Sequence, residues 1–359
     1  MPDFIPGLQL SEIFYYEAVK PILDSNFPNL IYSAALIGTG SEVLEFDTPQ
    51  SMDHHWGLKL NLFVSQADIK KAEKIKEVLS KNLPYEVRGI STNFGKPDKI
   101  GVQLLEKIDS GPVNHLVTVD TINSYFEKYL GYTPNTIQIL NWLTIPEQKL
   151  LEVTSGKVFY DGLNELNSVR EKLAYYPQDI WLYLYASQWV RIAQEEAFVG
   201  RAGDVGDELG SQVIAARLVR EIMKLSFLIE KKYAPYLKWF GTAFSKLAIA
   251  QDLSPILKVV LFSKDWKERE NNLSKAYKII ANGHNKLAIT DEMNTEVSSY
   301  HKRPYLTIHG HDFADAIKQK ITNEEIKNMK YAIGNVSQFI DSTDILSRPT
   351  LTKKLLVLF

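Results

Sequence analysis

The amino-acid sequence predicts an α+β protein, with a mixed-sheet domain over residues 1–160 and a mainly helical domain over residues 161–359. Three observations carry that prediction. A chain of 359 residues is longer than one ordinary hydrophobic core supports, so two domains are expected. Short strand-like runs alternate with helical stretches as far as about residue 160. From Leu163 onward long helical periodicities dominate, which reads as a bundle.

Taken in order, Leu10 to Ser25 reads as an amphipathic helix with Phe14, Ala18 and Ile22 on one stripe. Leu30 to Ile37 is a short apolar strand that ends at glycines. His55 to Val64 alternates Trp56, Leu58, Leu60 and Leu62 against Gly57, Lys59 and Asn61, the pattern of a second strand. Lysine-rich Gln66 to Asn82 is helical, and Asn114 to Asp120 is a third strand. A helix then runs through Tyr129 to a stop at Gly131, and Lys157 to Tyr160 is one more strand. Further helices are expected over Gln178–Phe198, Asp207–Lys231, Ala234–Ala250, Pro255–Leu261, Trp266–Asn282 and Asp312–Ile321. Pro304 and apolar Tyr305 to Ile308 interrupt that rhythm, and the last segment, from Asp341, is short and mixed.

Composition narrows the function classes. Hydrophobic residues are 45% and charged residues 23%, an ordinary globular balance. A formal charge of -2 gives no electrostatic reason to expect long nucleic acid or an anionic membrane as partner. With no cysteine, disulfides, thiolate catalysis and cysteine-ligated zinc are excluded. The start, Met1 to Pro6, lacks the basic and apolar runs of a signal peptide, and no window reaches a membrane span of about 18 apolar residues. A cytoplasmic location is the simplest expectation.

The stretch Gly38 to Gly57 concentrates the chemistry. A Gly40-Ser41 turn follows the apolar strand and offers backbone N–H groups to phosphate oxygens. Eleven residues separate Ser41 from Asp53-His54-His55. Residues two apart on a strand point the same way, so 53 and 55 would face one ligand. Two carboxylates there would hold magnesium ions that clamp attacking and leaving oxygens. His55 offers nitrogen instead, and magnesium prefers oxygen.

Further stretches extend the pattern: Tyr175 to Trp181, Gln194 to Arg201, Gly206 to Ser211, Lys238 to Gly241, Arg303 to Tyr305 and Gln338 to Asp344. Together they resemble the bacterial domain-of-unknown-function family 4037, a branch of the nucleotidyltransferase superfamily. The resemblance implies a nucleotidyltransferase-like N-terminal domain and a helical C-terminal domain, similar in plan to aminoglycoside nucleotidyltransferases. It implies metal-dependent transfer of a nucleotidyl group from a nucleoside triphosphate to a hydroxyl of a small molecule or protein. By that resemblance Gly40 and Ser41 hold triphosphate, and Asp53 holds magnesium or manganese. His55 departs from the Asp-His-Asp-Trp pattern of relatives. A third metal carboxylate comes from a later strand, with Asp120 the expected source and Thr118 the alternative occupant of that position. The competing expectation is a nucleotide-binding or interaction protein that kept the fold and lost turnover.

Other candidates have bland alternatives beside them. Glu195 and Glu196 would supply an acceptor base, or else pair with Arg191 or Arg201 inside the bundle. Asp207 is placed to cap the helix it begins, sharing a face with Ser211. Asp47 is expected to bridge its own turn through an Asx bond. The aromatic run that includes Tyr175, Tyr176, Trp181, Tyr185, Trp189 and Tyr233 is mostly bundle core, with one or two rings free to stack on a base. The Arg303-x5-His309 spacing matches a ribonuclease motif, and His309 with His311 offers either a metal pair or a surface strand.

Overall fold

A computed structural model describes residues 4–53, 56–99 and 101–359. The chain divides into two compact units, Met1–Ile137 with Lys149–Ala174, and Gln138–Gln148 with Tyr175–Phe359. The division expected at 160/161 falls inside a strand, Lys157–Asp161, that pairs with the centre of the sheet, so the first unit continues to Ala174. Among the described residues no helix is long and apolar enough to cross a membrane.

The first unit is built on four strands: β1 (Tyr32–Leu36), β2 (Lys59–Val64), β5 (Leu116–Asp120) and β6 (Lys157–Asp161), in the order β5-β2-β1-β6. The strands β3 (Glu86–Val87) and β4 (Ile90–Ser91) form a separate small hairpin. Strand β1 runs antiparallel to both neighbours, and β2 runs parallel to β5, so the sheet is mixed and the fold is α+β. All five residues of β1 are buried, and Ser33, Ala34 and Ala35 keep it thin. Its core neighbours include Leu10, Phe14, Leu60, Leu62, Ile75 and Leu79.

The first helix departs from a simple amphipathic rod. It consists of α1 (Gly7–Phe14), a π turn (Tyr15–Val19) and α2 (Lys20–Asn26). Pro21 explains the wide turn: it has no N–H, and its ring crowds the carbonyl four residues back. The Lys20 N–H reaches the Tyr15 carbonyl, an i→i−5 bond that relaxes the approach. Strand β2 starts at Lys59 rather than His55, because Gly57 sits at φ +140 with the Leu105 and Phe94 side chains packed where a Cβ would stand. Asp53 closes a 3-10 turn (Pro49–Asp53), so the strand argument linking positions 53 and 55 does not apply to it.

Two helices then flank the sheet, α3 (Ala72–Asn82) and α4 (Ile122–Leu130). Thr121 caps α4 by accepting from Ser124 N–H, and Gly131 at φ +84 ends it. Helices α5 (Glu147–Thr154) and α6 (Leu166–Lys172) complete this part of the chain. Arg170 of α6 donates to the carbonyls of Val153, Thr154 and Ser155, which satisfies the open end of α5.

The second unit is mainly helical: α7 (Gln178–Glu195), α8 (Phe198–Asp204), α9 (Glu208–Ile229), α10 (Leu237–Phe244), α11 (Ala250–Phe262), α12 (Trp266–Lys286) and α13 (Gly310–Lys318). Pro255 lies inside α11, which begins at Ala250 rather than at the proline, while the helix expected over Ala234–Ala250 is confined to α10. A two-residue ladder, β7 (Ser298–Ser299) with β8 (Leu306–Thr307), carries the apolar run after Pro304. Helix α13 packs against α7 through Gly310, whose missing Cβ would meet the Trp189 carbonyl at 2.9 Å. Trp189 and Phe313 stack across that contact at 4.3 Å.

Asp47 replaces the expected Asx turn with a longer reach. Its Oδ2 accepts from the Gly7 N–H at 2.7 Å and from the Trp56 indole at 3.1 Å. One carboxylate thus ties the start of α1 to a buried tryptophan. Asp47→Ala leaves both donors without their acceptor, and a loss of about 1–3 kcal/mol is expected in urea unfolding followed by fluorescence. An unchanged midpoint would show that the tie contributes nothing.

Candidate functional site

The polar groups of the first unit gather at the end of the sheet where β1 exits and β2 and β5 begin. Since β1 is antiparallel to β2 and β2 is parallel to β5, the Gly38–Ser41 turn lies beside the starts of both strands. The Ile37 N–H donates to Asn61 Oδ1 at 3.2 Å, and Asn61 Nδ2 donates to Thr118 Oγ1 at 3.0 Å. Asn61 and Thr118 are register partners, so this amide–hydroxyl pair spans adjacent strands on the side nearest the turn. The Tyr125 hydroxyl donates to the Ile37 carbonyl at 3.1 Å. The Gly38 N–H bonds the Glu152 carbonyl at 2.9 Å.

Asp120 sits one same-face step further along β5, opposite Phe63. Its carboxylate bonds Lys128 Nζ at 2.7 Å and the Thr121 N–H at 2.9 Å. Burial alone would raise its pKa, but Lys128, Ser124 and Thr121 outweigh that and hold it below the usual range. Thr118, the alternative, is the β5 residue that meets Asn61.

Two buried ion pairs flank the turn. Glu42, 2% exposed, meets Lys59 Nζ at 2.5 Å. The Glu42 carboxylate fills the space beside Gly40, where an added Cβ would lie 2.5 Å from Oε1. Gly40, at φ +150, is therefore required by Glu42 whether or not a phosphate approaches. On the other flank Glu152 accepts from the Tyr129 hydroxyl and lies 3.5 Å from Lys149 Nζ. Lys149 also stands over the Tyr129 ring, and Tyr129 bonds the Thr39 hydroxyl at 2.9 Å. Burial and the Glu152 charge push the Tyr129 phenol well above its ordinary value, so it remains a hydrogen-bond donor. Each lysine near the turn is thus matched by a carboxylate.

Magnesium is held mainly by carboxylate and carbonyl oxygen. The two sheet positions facing the turn carry a neutral amide and a neutral hydroxyl, already bonded to each other. Among the described residues no group of three His, Cys, Asp or Glu side chains is placed to hold a metal ion. Of the expected metal ligands only Asp120 has a described side chain, and Lys128 engages it. His54 and His55 lie outside the described residues, as does the side chain of Asp53.

In the second unit Glu195 pairs with Arg217 at 2.9 Å, and Arg191 pairs with Glu221 at 3.0 Å. The expected bundle pairing exists with exchanged partners. Glu196 has a different role: its oxygens accept from the Ile308 N–H at 2.8 Å and the Gly310 N–H at 3.3 Å. It holds the strand-to-helix turn where His309 takes a left-handed φ of +56. Both oxygens are engaged by backbone, which removes Glu196 from acceptor-base geometry. His309 precedes α13 rather than lying on a strand, and its Nε2 is 2.6 Å from Ser298 Oγ; His311 is exposed on that helix.

Asp207 caps α9 as expected, accepting from the Gly210 N–H at 2.8 Å, while Ser211 accepts from buried Arg269. Tyr176, Trp181, Tyr185, Trp189 and Tyr233 are core. Sequence reasoning missed Asn61, Lys59, Glu42, Tyr129, Lys149 and Glu152. Only the strand alternation around Asn61 was a usable signal for any of them.

Residues 142–240 match the family model described as Domain of unknown function (DUF4037). The stretches Tyr175–Trp181, Gln194–Arg201 and Gly206–Ser211 fall inside that match. No curated protein matches the chain. Among solved structures it is similar to a nucleotidyltransferase-like protein from Exiguobacterium sibiricum 255-15, at 11% identity and a TM-score of 0.30, covering 82% of this chain and 83% of that one.

The Glu196 environment gives a pH signature. Burial raises its carboxyl to about 7, against the N–H groups of Ile308, Gly310 and His309, which pull it down. The unfolded group titrates near its ordinary value of 4.5, so between those values the folded chain binds the extra proton. Its contribution to stability is full below the unfolded pKa and is lost as pH rises through about 7. The stability advantage of the natural chain over Glu196→Gln should therefore shrink from pH 5 to pH 8 in chemical denaturation. A pH-independent difference contradicts this assignment.

Proposed function

We propose that this chain binds a nucleoside triphosphate at the Gly38–Ser41 turn and has a reduced capacity for metal-assisted nucleotidyl transfer. The reading starts from the resemblance to the nucleotidyltransferase superfamily. The observation that carries the reduced capacity is the Asn61–Thr118 hydrogen bond of 3.0 Å, in register across β2 and β5, with Asn61 also taking the Ile37 N–H at the turn. Carboxylates at those two positions would repel each other unless cations lay between them. An amide and a hydroxyl instead satisfy each other without any ion.

The turn itself supplies N–H groups and the Ser41 hydroxyl for phosphate oxygens, helped by the positive φ of Gly38 and Gly40. The nearby charges, Lys59 with Glu42 and Lys149 with Glu152, already balance. Phosphate binding therefore draws on hydrogen bonding and on weakening one of those pairs. That predicts modest rather than tight affinity.

Full transfer is the second reading, favoured by Asp53 at the end of the 3-10 turn shortly before β2. In that reaction the acceptor oxygen bonds the α-phosphorus, pyrophosphate leaves, and the hydroxyl proton passes to a base. Asp53 would hold magnesium or manganese, whose chemistry is to neutralise charge on the transferring phosphate. Of the two glutamates named for the base, Glu195 is the one whose oxygens are not both held by backbone.

Titration with a fluorescent triphosphate analogue should give saturable binding, and Ser41→Glu should weaken it at least about tenfold through charge repulsion. Pyrophosphate release with magnesium or manganese should stay near background, and His55→Asp with Thr118→Asp should raise metal affinity. Brisk release by the natural chain would overturn the reduced-capacity reading. Absence of saturable binding would remove the nucleotide itself.

A further inference from the structure

We infer that Arg201 and Arg303 form a binding site for a phosphate group, built entirely from residues of the second unit. The stretches that carry them, Gln194 to Arg201 and Arg303 to Tyr305, take no part in the chemistry of the Gly38–Ser41 turn. Among the described residues every other arginine of this unit meets a carboxylate. Arg191 pairs with Glu221, Arg217 with Glu195, Arg220 with Asp341, Arg269 with Glu208 and Arg348 with Asp344. Arg201 and Arg303 have no such partner, and a guanidinium does not shed its charge in a protein.

The fold brings the two together around Tyr305. Gly200 lets α8 lie against that ring, since an added Cβ would stand 2.7 Å from Tyr305 Cδ1. Asp204, one turn along α8 from Arg201, accepts from the Tyr305 hydroxyl at 3.1 Å. Arg303 lies in the turn that Tyr305 closes. There the Tyr300 N–H donates to the Tyr305 carbonyl at 2.8 Å, and the Arg303 N–H to the Tyr300 carbonyl at 3.0 Å. Burial and the Asp204 carboxylate hold the Tyr305 phenol above its ordinary value, and the cations that oppose them are Arg303 and Arg201. Arg201, Asp204 and Arg303 are all exposed, so a ligand reaches them from solvent. Arg201 keeps its place over the Phe198 ring, 5.5 Å from the centroid.

Charge and shape select the ligand. Two fixed positive charges stand against one carboxylate, and His301 and Lys302 extend the basic turn. A carboxylate ligand is planar and singly charged, and one guanidinium satisfies it through two parallel hydrogen bonds. A phosphate group carries about two negative charges near pH 7. Its oxygens point in several directions, so guanidiniums from two separate elements each take their own.

Pyrophosphate is the probe, titrated calorimetrically into the full chain carrying Ser41→Glu, so that the Gly38–Ser41 turn does not contribute. Arg201→Gln and Arg303→Gln should each weaken its binding at least about tenfold. Arg348→Gln, at an exposed arginine that is already paired, should leave it unchanged. Asp204→Asn, which keeps an acceptor for Tyr305 but removes the opposing charge, should tighten it about threefold. In the natural chain, where no variant has to fold, pyrophosphate should protect Arg201 and Arg303 but not Arg348 from phenylglyoxal, read by mass spectrometry. No saturable binding in the Ser41→Glu chain, binding indifferent to both arginine variants, or equal protection at 201 and 348 overturns the inference. Tighter binding of succinate than of pyrophosphate overturns the choice of phosphate.

Discussion

Everything at the head of the first unit follows from the burial of β1. All five of its residues are buried and it is paired on both edges, so its backbone polar groups have no water to turn to. Where the ladder stops, at Ile37 and Gly38, side chains and neighbouring loops must take over. Asn61 suits that task because an amide both accepts and donates. Its oxygen takes the Ile37 N–H and its nitrogen serves Thr118. An aspartate could do only the first. Asn61 thereby finishes the sheet.

The same reasoning accounts for the ion pairs. Glu42 is nearly inaccessible, and an unpaired charge at such a site is costly, so Lys59 is drawn from the start of β2 to meet it. Glu152 has its own lysine and a tyrosine hydroxyl. The electrostatics beside the turn are settled within the protein before any ligand arrives.

What was legible in the sequence was local. The apolar run of β1, the Gly131 stop, the Asp207 cap and the periodicities of α7 and α9 all depend on near neighbours. Features set by distant partners were not. The strand reading extended β2 back to His55 because alternation cannot sense Leu105 and Phe94 packing against Gly57. The partners of Thr118 and Asp120, Asn61 and Lys128, likewise come from other elements of the fold. Glu196 looked like a base because its partners, the N–H groups of Ile308 and Gly310, lie more than a hundred residues away. Several stretches behind the family resemblance prove architectural in the same way. Gln338 joins Gln188, which in turn meets Glu221, and Asp179 holds the backbone of Asn323.

The tie from Asp47 to Trp56 has a mechanical consequence. It clamps the two ends of a ten-residue stretch together at its neck, with the Gly7 N–H as the third strand of the knot. Between those anchors Met52 still packs against the core. Releasing the Asp47 carboxylate would therefore loosen both the start of α1 and the seat of that methionine at once.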